Sequence, residues 1–160
     1  MAGHLANTEP PPQLEFIFTA RVIVDPPLDL GDIAKGKRRI VPIIGGDFSG
    51  PKLRGKVLPG GADWQILRSD GVDELEARYT LCTDDDVLIY VRNHALRHGP
   101  AEVMAALAAG DPVKPDGYYF RGTTFFETSA VRYGWIAKHI IVCTGERARA
   151  CVNLKFYNLM

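Results

Sequence analysis

From Glu74 to Leu81 polar and apolar side chains alternate at every step. In an extended chain successive side chains point to opposite faces, so Glu74, Glu76, Arg78 and Thr80 share one face and Leu75, Ala77, Tyr79 and Leu81 the other. The same period of two returns in Leu14, Phe16, Phe18, Ala20, Val22 and Val24, in Tyr118 to Glu127, and in Arg147 to Leu159. Turn-forming residues separate these runs: Asp25-Pro26-Pro27, the neighbourhoods of Gly31 and Gly36, Gly45-Gly46, Gly50-Pro51, Pro59-Gly60-Gly61, Asp70-Gly71, Asp84-Asp85-Asp86 and Gly145-Glu146. Between them lie further extended runs at Arg38 to Ile44, Leu53 to Leu58, Asp63 to Arg68, Val87 to Asn93 and Trp135 to Thr144.

One stretch, Ala101 to Ala109, has helical composition, with Pro100 suited to its first turn and Gly110 to its exit. The pattern lacks the strand-helix rhythm of a parallel sheet. It predicts an all-β fold, a single antiparallel β-barrel of about nine to ten strands with one short helix on a connection. Closure is preferred because long meandering strands would otherwise leave exposed edges. A chain of 160 residues, 46% apolar, is the size of one domain with a proper core. Residues 14–160 are expected to form the barrel, and residues 1–13, ending in Pro10-Pro11-Pro12, a flexible Pro-rich tail.

Nineteen Lys and Arg balance nineteen Asp and Glu, so no net field steers the chain onto nucleic acid or anionic lipid. Neither partner is expected. The N-terminal segment has no secretory apolar core, and no run approaches the roughly 20 apolar residues of a spanning helix, which predicts a soluble, cytoplasmic protein. Cys82, Cys143 and Cys151 are scattered through strand-like runs and read as buried free thiols.

Four blocks carry a family resemblance: Gly45-Gly46-Asp47-Phe48-Ser49-Gly50-Pro51, Leu58-Pro59-Gly60-Gly61-Ala62-Asp63-Trp64, Ala77-Arg78-Tyr79-Thr80-Leu81, and Tyr119-Phe120-Arg121 followed by Phe126-Glu127. In this order, over Leu14 to Leu159, they resemble domain-of-unknown-function family 3237, also called uncharacterised protein family 0311. The resemblance implies a single antiparallel β-barrel, often oligomeric, and so admits a homo-oligomer. It transfers no chemistry.

The polar face of Glu74 to Leu81, the parity of Tyr119, Arg121, Thr123, Phe125 and Glu127, and that of Arg149 to Tyr157 have two readings. They line a ligand-holding lumen, or they point at water while the apolar parity fills the barrel, the commoner arrangement. Under the first reading Asp63, Glu127 and Arg78 are the catalytic candidates. A carboxyl among aromatics is pushed toward its neutral form, one beside arginine toward its charged form, and the contrast supplies an acid and a base together. Trp64, Glu76, Tyr119, Arg121, Tyr133 and Trp135 are the candidate substrate-binding residues, the rings offering stacking surfaces and the ionisable groups orientation. Taken singly, Trp64 reads first as a core aromatic and Asp63 as a turn cap, and any of the carboxylates reads as half of a structural ion pair; it is the coincidence of Asp63-Trp64 with the Pro59-Gly60-Gly61 turn that brings the site reading level.

Other motifs are weaker. His94 and His98 stand four apart but lack the glutamate of a zincin motif, and Asp84-Asp85-Asp86 lacks the spacing of a calcium loop, so no metal is expected. Neither Gly45-Gly46 nor Gly60-Gly61 has the pattern of a phosphate or dinucleotide loop, and no cofactor is expected. Lys35 to Arg39 is basic but carries no stacking aromatic and reads as a surface loop. Two functions follow: a cofactor-independent lyase, isomerase or cyclase working by acid/base chemistry on a flat apolar substrate, or a non-catalytic small-molecule-binding barrel. A lumen filled by side chains would instead make the barrel purely structural.

Overall fold

On the first strand, β1 (Leu14–Val24), Phe18, Ala20, Val22 and Val24 are buried in steps of two while Arg21 is exposed. The same inward parity continues through β2 (Leu28–Ile33), β3 (Gly36–Ser49), β4 (Arg54–Val57), β5 (Gly61–Leu67), β6 (Asp73–Thr83), β7 (Leu88–His98), β8 (Tyr119–Glu127), β9 (Ile141–Arg147) and β10 (Cys151–Leu159) wherever a strand faces the core. The computed structural model describes residues 9–160. Every pairing is antiparallel, and β1–β3–β5–β6–β7–β8–β9–β10 returns to β1, a closed barrel of eight strands. The short β4 sits between β3 and β6 beyond the end of β5, and β2 adds to the free start of β3. The helix α1 (Ala101–Ala109) lies on the β7–β8 connection, entered after Pro100 and left through Gly110 in the left-handed conformation, as the composition indicates. Of the expected tail, residues 1–8 lie outside the described residues; Glu9 to Gln13 run exposed into β1.

Several boundaries differ from the sequence reading, each for a local reason. Leu28 to Ile33 is a strand, not a turn, because it finds a partner in the start of β3. Gly45-Gly46 does not end β3; the strand bends there, its register with β1 shifting between Ile23 and Val24. Gly46 has φ +135°, and a Cβ there would lie 2.0 Å from the Arg21 carbonyl oxygen, so only glycine lets the two strands approach. The β9–β10 turn is at Ala148 to Ala150 and not at Gly145-Glu146, since Gly145 pairs with Leu154 inside the ladder. Gly145 is demanded by packing: a Cβ would stand 2.5 Å from the Phe120 ring. Cys143 accordingly faces Phe156, and all three cysteines are free. Val131–Lys138 is a 3-10 segment, so Trp135 is not on a strand. His94 and His98 both lie on β7 and point outward.

The interior has two unlike halves. At one, Phe18, Phe48, Phe126 and Phe156 pack ring against ring, with Phe18 and Phe156 stacked at 4.4 Å between centroids. At the other, the ends of β5, β7 and β9 and the starts of β3, β6 and β8 converge, and here charged side chains take inward positions. Leu75, Tyr79 and Leu81 are 3%, 4% and 0% exposed, which fixes the orientation of β6. Burying each such side chain is worth roughly 1.5–3 kcal/mol, more than solvating Glu74, Glu76 and Arg78 inside a barrel would return. The polar face of β6 therefore points outward.

Substituting Gly145→Ala forces a methyl into the Phe120 ring and is expected to lower stability in urea unfolding by about 1–3 kcal/mol. Gly134→Ala, which meets nothing within 4 Å, is expected to stay within about 0.5 kcal/mol. Equal effects at the two positions would contradict the packing described.

Candidate functional site

Seven polar side chains reach the charged half of the lumen from strands whose other inward residues are mostly apolar. Arg39 shares parity with Val41 and Ile43 on β3; Asp63 and Gln65 come from β5; Asp73 and Tyr79 flank Leu75 and Ala77 on β6; Arg97 follows Ala95 on β7; Arg147 ends β9. All of them but Asp73 line a cavity of about 40 Å³ whose apolar wall includes Val22, Val41, Ile43, Leu75, Phe120 and Leu154. That is room for about three water-sized groups.

Two hydrogen-bonded units organise the lumen. Arg97 donates from Nε (3.1 Å) and Nη2 (2.8 Å) to Asp73 Oδ2, with the two side chains only 5% and 12% exposed, and its guanidinium lies 5.7 Å from the Phe120 ring centre. The second unit is a relay: Arg39 Nε donates to Gln65 Oε1 at 2.7 Å, and Gln65 Nε2 donates to Asp63 Oδ2 at 2.6 Å. On the cavity wall Asn93 Oδ1 accepts from Thr124 (2.7 Å) and from Cys143 (3.3 Å), and burial pushes the Cys143 thiol up to about 11, which keeps it protonated and unreactive.

What these units leave over defines the site. Asp63 Oδ1, the Tyr79 hydroxyl and Arg147 Nη1 are buried and find no hydrogen-bond partner within the protein, and all three residues line the one cavity. Burial raises the Asp63 carboxyl above its ordinary 3.8, outweighing the opposing pull of the Gln65 hydrogen bond and of Arg97, Arg39 and Arg147. Burial likewise drives the Tyr79 phenol upward, so it stays a neutral donor. Arg39 and Arg147 are both lowered, first by burial and then by repulsion from Arg97. Three guanidiniums face two carboxylates, so the lumen is positive by one charge with Asp63 ionised and by two with Asp63 protonated.

Of the candidates drawn from the sequence, only Asp63 is here. Trp64 follows it directly on β5 and must therefore face outward, where it is 38% exposed and lines a shallow surface pocket with Arg38, Glu76 and Arg78. Glu76 and Arg78 pair with one another at 2.8 Å in solvent. On β8 the inward set is Phe120, Thr124 and Phe126, which sends Tyr119, Arg121 and Glu127 outside; Tyr119 stacks on His98 at 4.9 Å, beside the Arg121 guanidinium. Tyr133 donates to Asp85 (2.9 Å), and Trp135 lies against Lys52 (5.0 Å), both on the 3-10 segment outside the barrel. Thus Arg78, Glu127 and the expected stacking residues do not line the lumen. Arg39, Gln65, Tyr79, Arg97 and Arg147 do, with Asp73 buried against Arg97 beside them, and the sequence reading did not select them. Their signal was present: each is a polar side chain on the parity that its own strand buries. Among the described residues no group of His, Cys, Asp or Glu is placed to hold a metal ion, and no helix is long and apolar enough to cross a membrane.

The family model described as "Protein of unknown function (DUF3237)" matches residues 12–159. The chain belongs to this family. Among DUF3237 relatives, a UPF0311 protein of Clostridium acetobutylicum is 44% identical over 146 residues, 91% of this chain and 92% of the relative. A solved structure of a conserved protein of unknown function from Rhodopseudomonas palustris superposes with a TM-score of 0.90 at 36% identity, covering 95% of this chain and 100% of that one. A more distant structure, described as an enzyme from Penicillium herquei, superposes with a TM-score of 0.72 at 21% identity, over 98% of this chain and 100% of that one, and shares the DUF3237 barrel fold.

Because folded Asp63 keeps its proton to higher pH than the unfolded chain, the native state binds the extra proton above about 3.8. That contribution to stability is full below the unfolded value and is lost as pH climbs through the folded one. Relative to Asp63→Asn, the wild type is expected to lose stability from pH 4 upward, at up to about 1.4 kcal/mol per pH unit within the window. Denaturant unfolding of both proteins across pH 4–8 checks this; a gap that stays flat, or moves in favour of wild type, would contradict it.

Proposed function

We propose that the lumen is a cofactor-independent acid/base site for a small molecule, of lyase, isomerase or cyclase type. The observation that carries this reading is the convergence on one cavity of three buried groups left without partners: a carboxyl oxygen, a phenol and a guanidinium nitrogen. Buried polar groups ordinarily satisfy one another, and exceptions concentrate where a substrate supplies the missing partner. A barrel of the same fold is described as an enzyme in Penicillium herquei, which supports catalysis as a use of this architecture.

The roles follow from chemistry. Asp63, carrying its proton to higher pH than an exposed aspartate, is suited to proton transfer through Oδ1, while Gln65 holds Oδ2 and fixes the carboxyl plane. As a carboxylate Asp63 takes the proton from a carbon next to a carbonyl, moving negative charge onto the carbonyl oxygen, and as the resulting acid it returns a proton to carbon, so the reaction begins from the form that the bound substrate favours. Arg147 Nη1 and the Tyr79 hydroxyl are the free donors for that charge, in a setting where bulk water does not compete. A cavity of about 40 Å³ takes the reacting end of a substrate and not a whole polycyclic molecule. The remainder extends toward the rim, against the aliphatic wall and the Phe120 ring, instead of stacking on Trp64 or Trp135.

A non-catalytic binding barrel would use the same groups without proton transfer, and one variant separates the two. Small ketones, 1,3-dicarbonyls and phenols are screened by thermal shift, and products are sought for each compound that stabilises the protein. Asp63→Asn preserves the hydrogen bond from Gln65 and is expected to reduce turnover by about 10²-fold or more while leaving affinity within a few-fold. Turnover that survives in Asp63→Asn would remove the catalytic role; tight ligands with no product in wild type would favour the binding barrel.

A further inference from the structure

We propose that the molecule entering the lumen is an organic carboxylate, seated with its carboxyl group against Arg147 and Arg39. This rests on the lumen reading above and names the class of its substrate. The inference comes from how positive charge is distributed. Arg97 is met by Asp73 at 2.8 Å and needs nothing more. Arg39 has only the neutral amide of Gln65 as side-chain partner, at 2.7 Å, and Arg147 Nη1 has none. Two guanidiniums thus stand beside one cavity without a carboxylate of their own, already repelling Arg97. Placing unneutralised cations together in a half-buried space is costly unless an anion joins them.

The shape of that anion is constrained from three sides. A guanidinium presents parallel N–H groups that match the two oxygens of a carboxylate. The cavity of about 40 Å³ admits a group of carboxyl size. Its remaining wall is aliphatic and aromatic, through Val41, Leu75, Phe120 and Leu154, and calls for a ligand with an apolar body, which inorganic phosphate lacks. The neutral Tyr79 hydroxyl supplies a further donor to the anion. Asp63 is the one group in the lumen that must adjust: beside a bound carboxylate its protonated form is favoured, because two like charges in one small space repel. With Arg39, Arg97 and Arg147 charged, Asp73 held by Arg97 and Tyr79 neutral, binding is coupled to proton uptake at Asp63 and weakens as pH rises.

The probes are benzoate and propionate, their amides benzamide and propionamide, and inorganic phosphate, with the full chain followed by thermal shift and calorimetry at several pH values. The acids are expected to raise the melting temperature and to bind at least about tenfold more tightly than the amides, as loss of a charge-assisted hydrogen bond implies. Their affinity is expected to fall as pH rises. Arg147→Met and Arg39→Met are expected to remove most of that preference with the fold intact by circular dichroism, and Arg147→Lys to retain part of it. Amides binding as well as acids would overturn the carboxylate assignment while leaving acid/base chemistry in the lumen standing. Phosphate matching benzoate would overturn it in favour of a small inorganic anion. If no probe stabilises the protein, or the arginine variants bind the acids unchanged, the carboxylate assignment is lost, while the lumen reading stands or falls separately on the screen of ketones, dicarbonyls and phenols and on Asp63→Asn.

Discussion

Asp73 and Arg97 neutralise one another inside the barrel, 2.8 Å apart and almost wholly out of water, and everything distinctive about the lumen is what remains once that pair has closed. Removing either partner would strand the other's charge, at a cost of about 3–5 kcal/mol. With the pair in place the interior tolerates ionisable side chains, and the charge of Arg39 and Arg147 is available for something other than holding the fold. Adjacent strands position the pair: Asp73 opens β6 and Arg97 lies directly across from it on β7.

The rest of the barrel divides the work between its ends. The Phe18, Phe48, Phe126 and Phe156 cluster and the wholly buried Leu81, Ile89, Val91 and Ile141 fill one half, at roughly 1.5–3 kcal/mol for each large side chain. That half needs no help from the polar end. The other half can therefore keep buried polar atoms unpaired, an arrangement that lowers stability and is retained where a ligand completes it. Glycines make the geometry accessible: Gly46 allows β3 to bend around the barrel beside β1, and Gly145 leaves space for the Phe120 ring that forms part of the lumen wall.

Much of the fold was legible in the sequence because strand period is a local property. The alternation in β1, β6, β8 and β10 follows from it, while the helix at Ala101 to Ala109 was read from its composition between Pro100 and Gly110 and the barrel closure from the cost of exposed edges. Which parity faces in is a contest between burial of one set and solvation of the other, and on β6 the aliphatic and Tyr79 side won. The ionisable run Glu74-Glu76-Arg78 drew attention because it is regular, but regular polar alternation is what a solvent face looks like. The informative residues were the exceptions: Arg39 beside Val41 and Ile43, and Arg97 beside Val91 and Ala95, each a charge on the buried parity. Asp63 was legible because it follows a Pro-Gly-Gly turn; its neighbour Trp64 was lost to the same rule of alternation that admits Asp63. Pairing of Asp73 with Arg97, 24 residues apart, depends on the β6–β7 register, which no local pattern fixes.

The central claim is that Asp63 sits inside the barrel, buried deeply enough to hold its proton beside three arginines. The direct measurement is its carboxyl carbon titration by NMR, with the resonance assigned by its loss in Asp63→Asn. The expected midpoint lies above 3.8, the ordinary aspartate value, and moves higher still when benzoate is present. A midpoint at or below 3.8, unmoved by carboxylates, would place Asp63 in an ordinary ion pair and contradict the site as described.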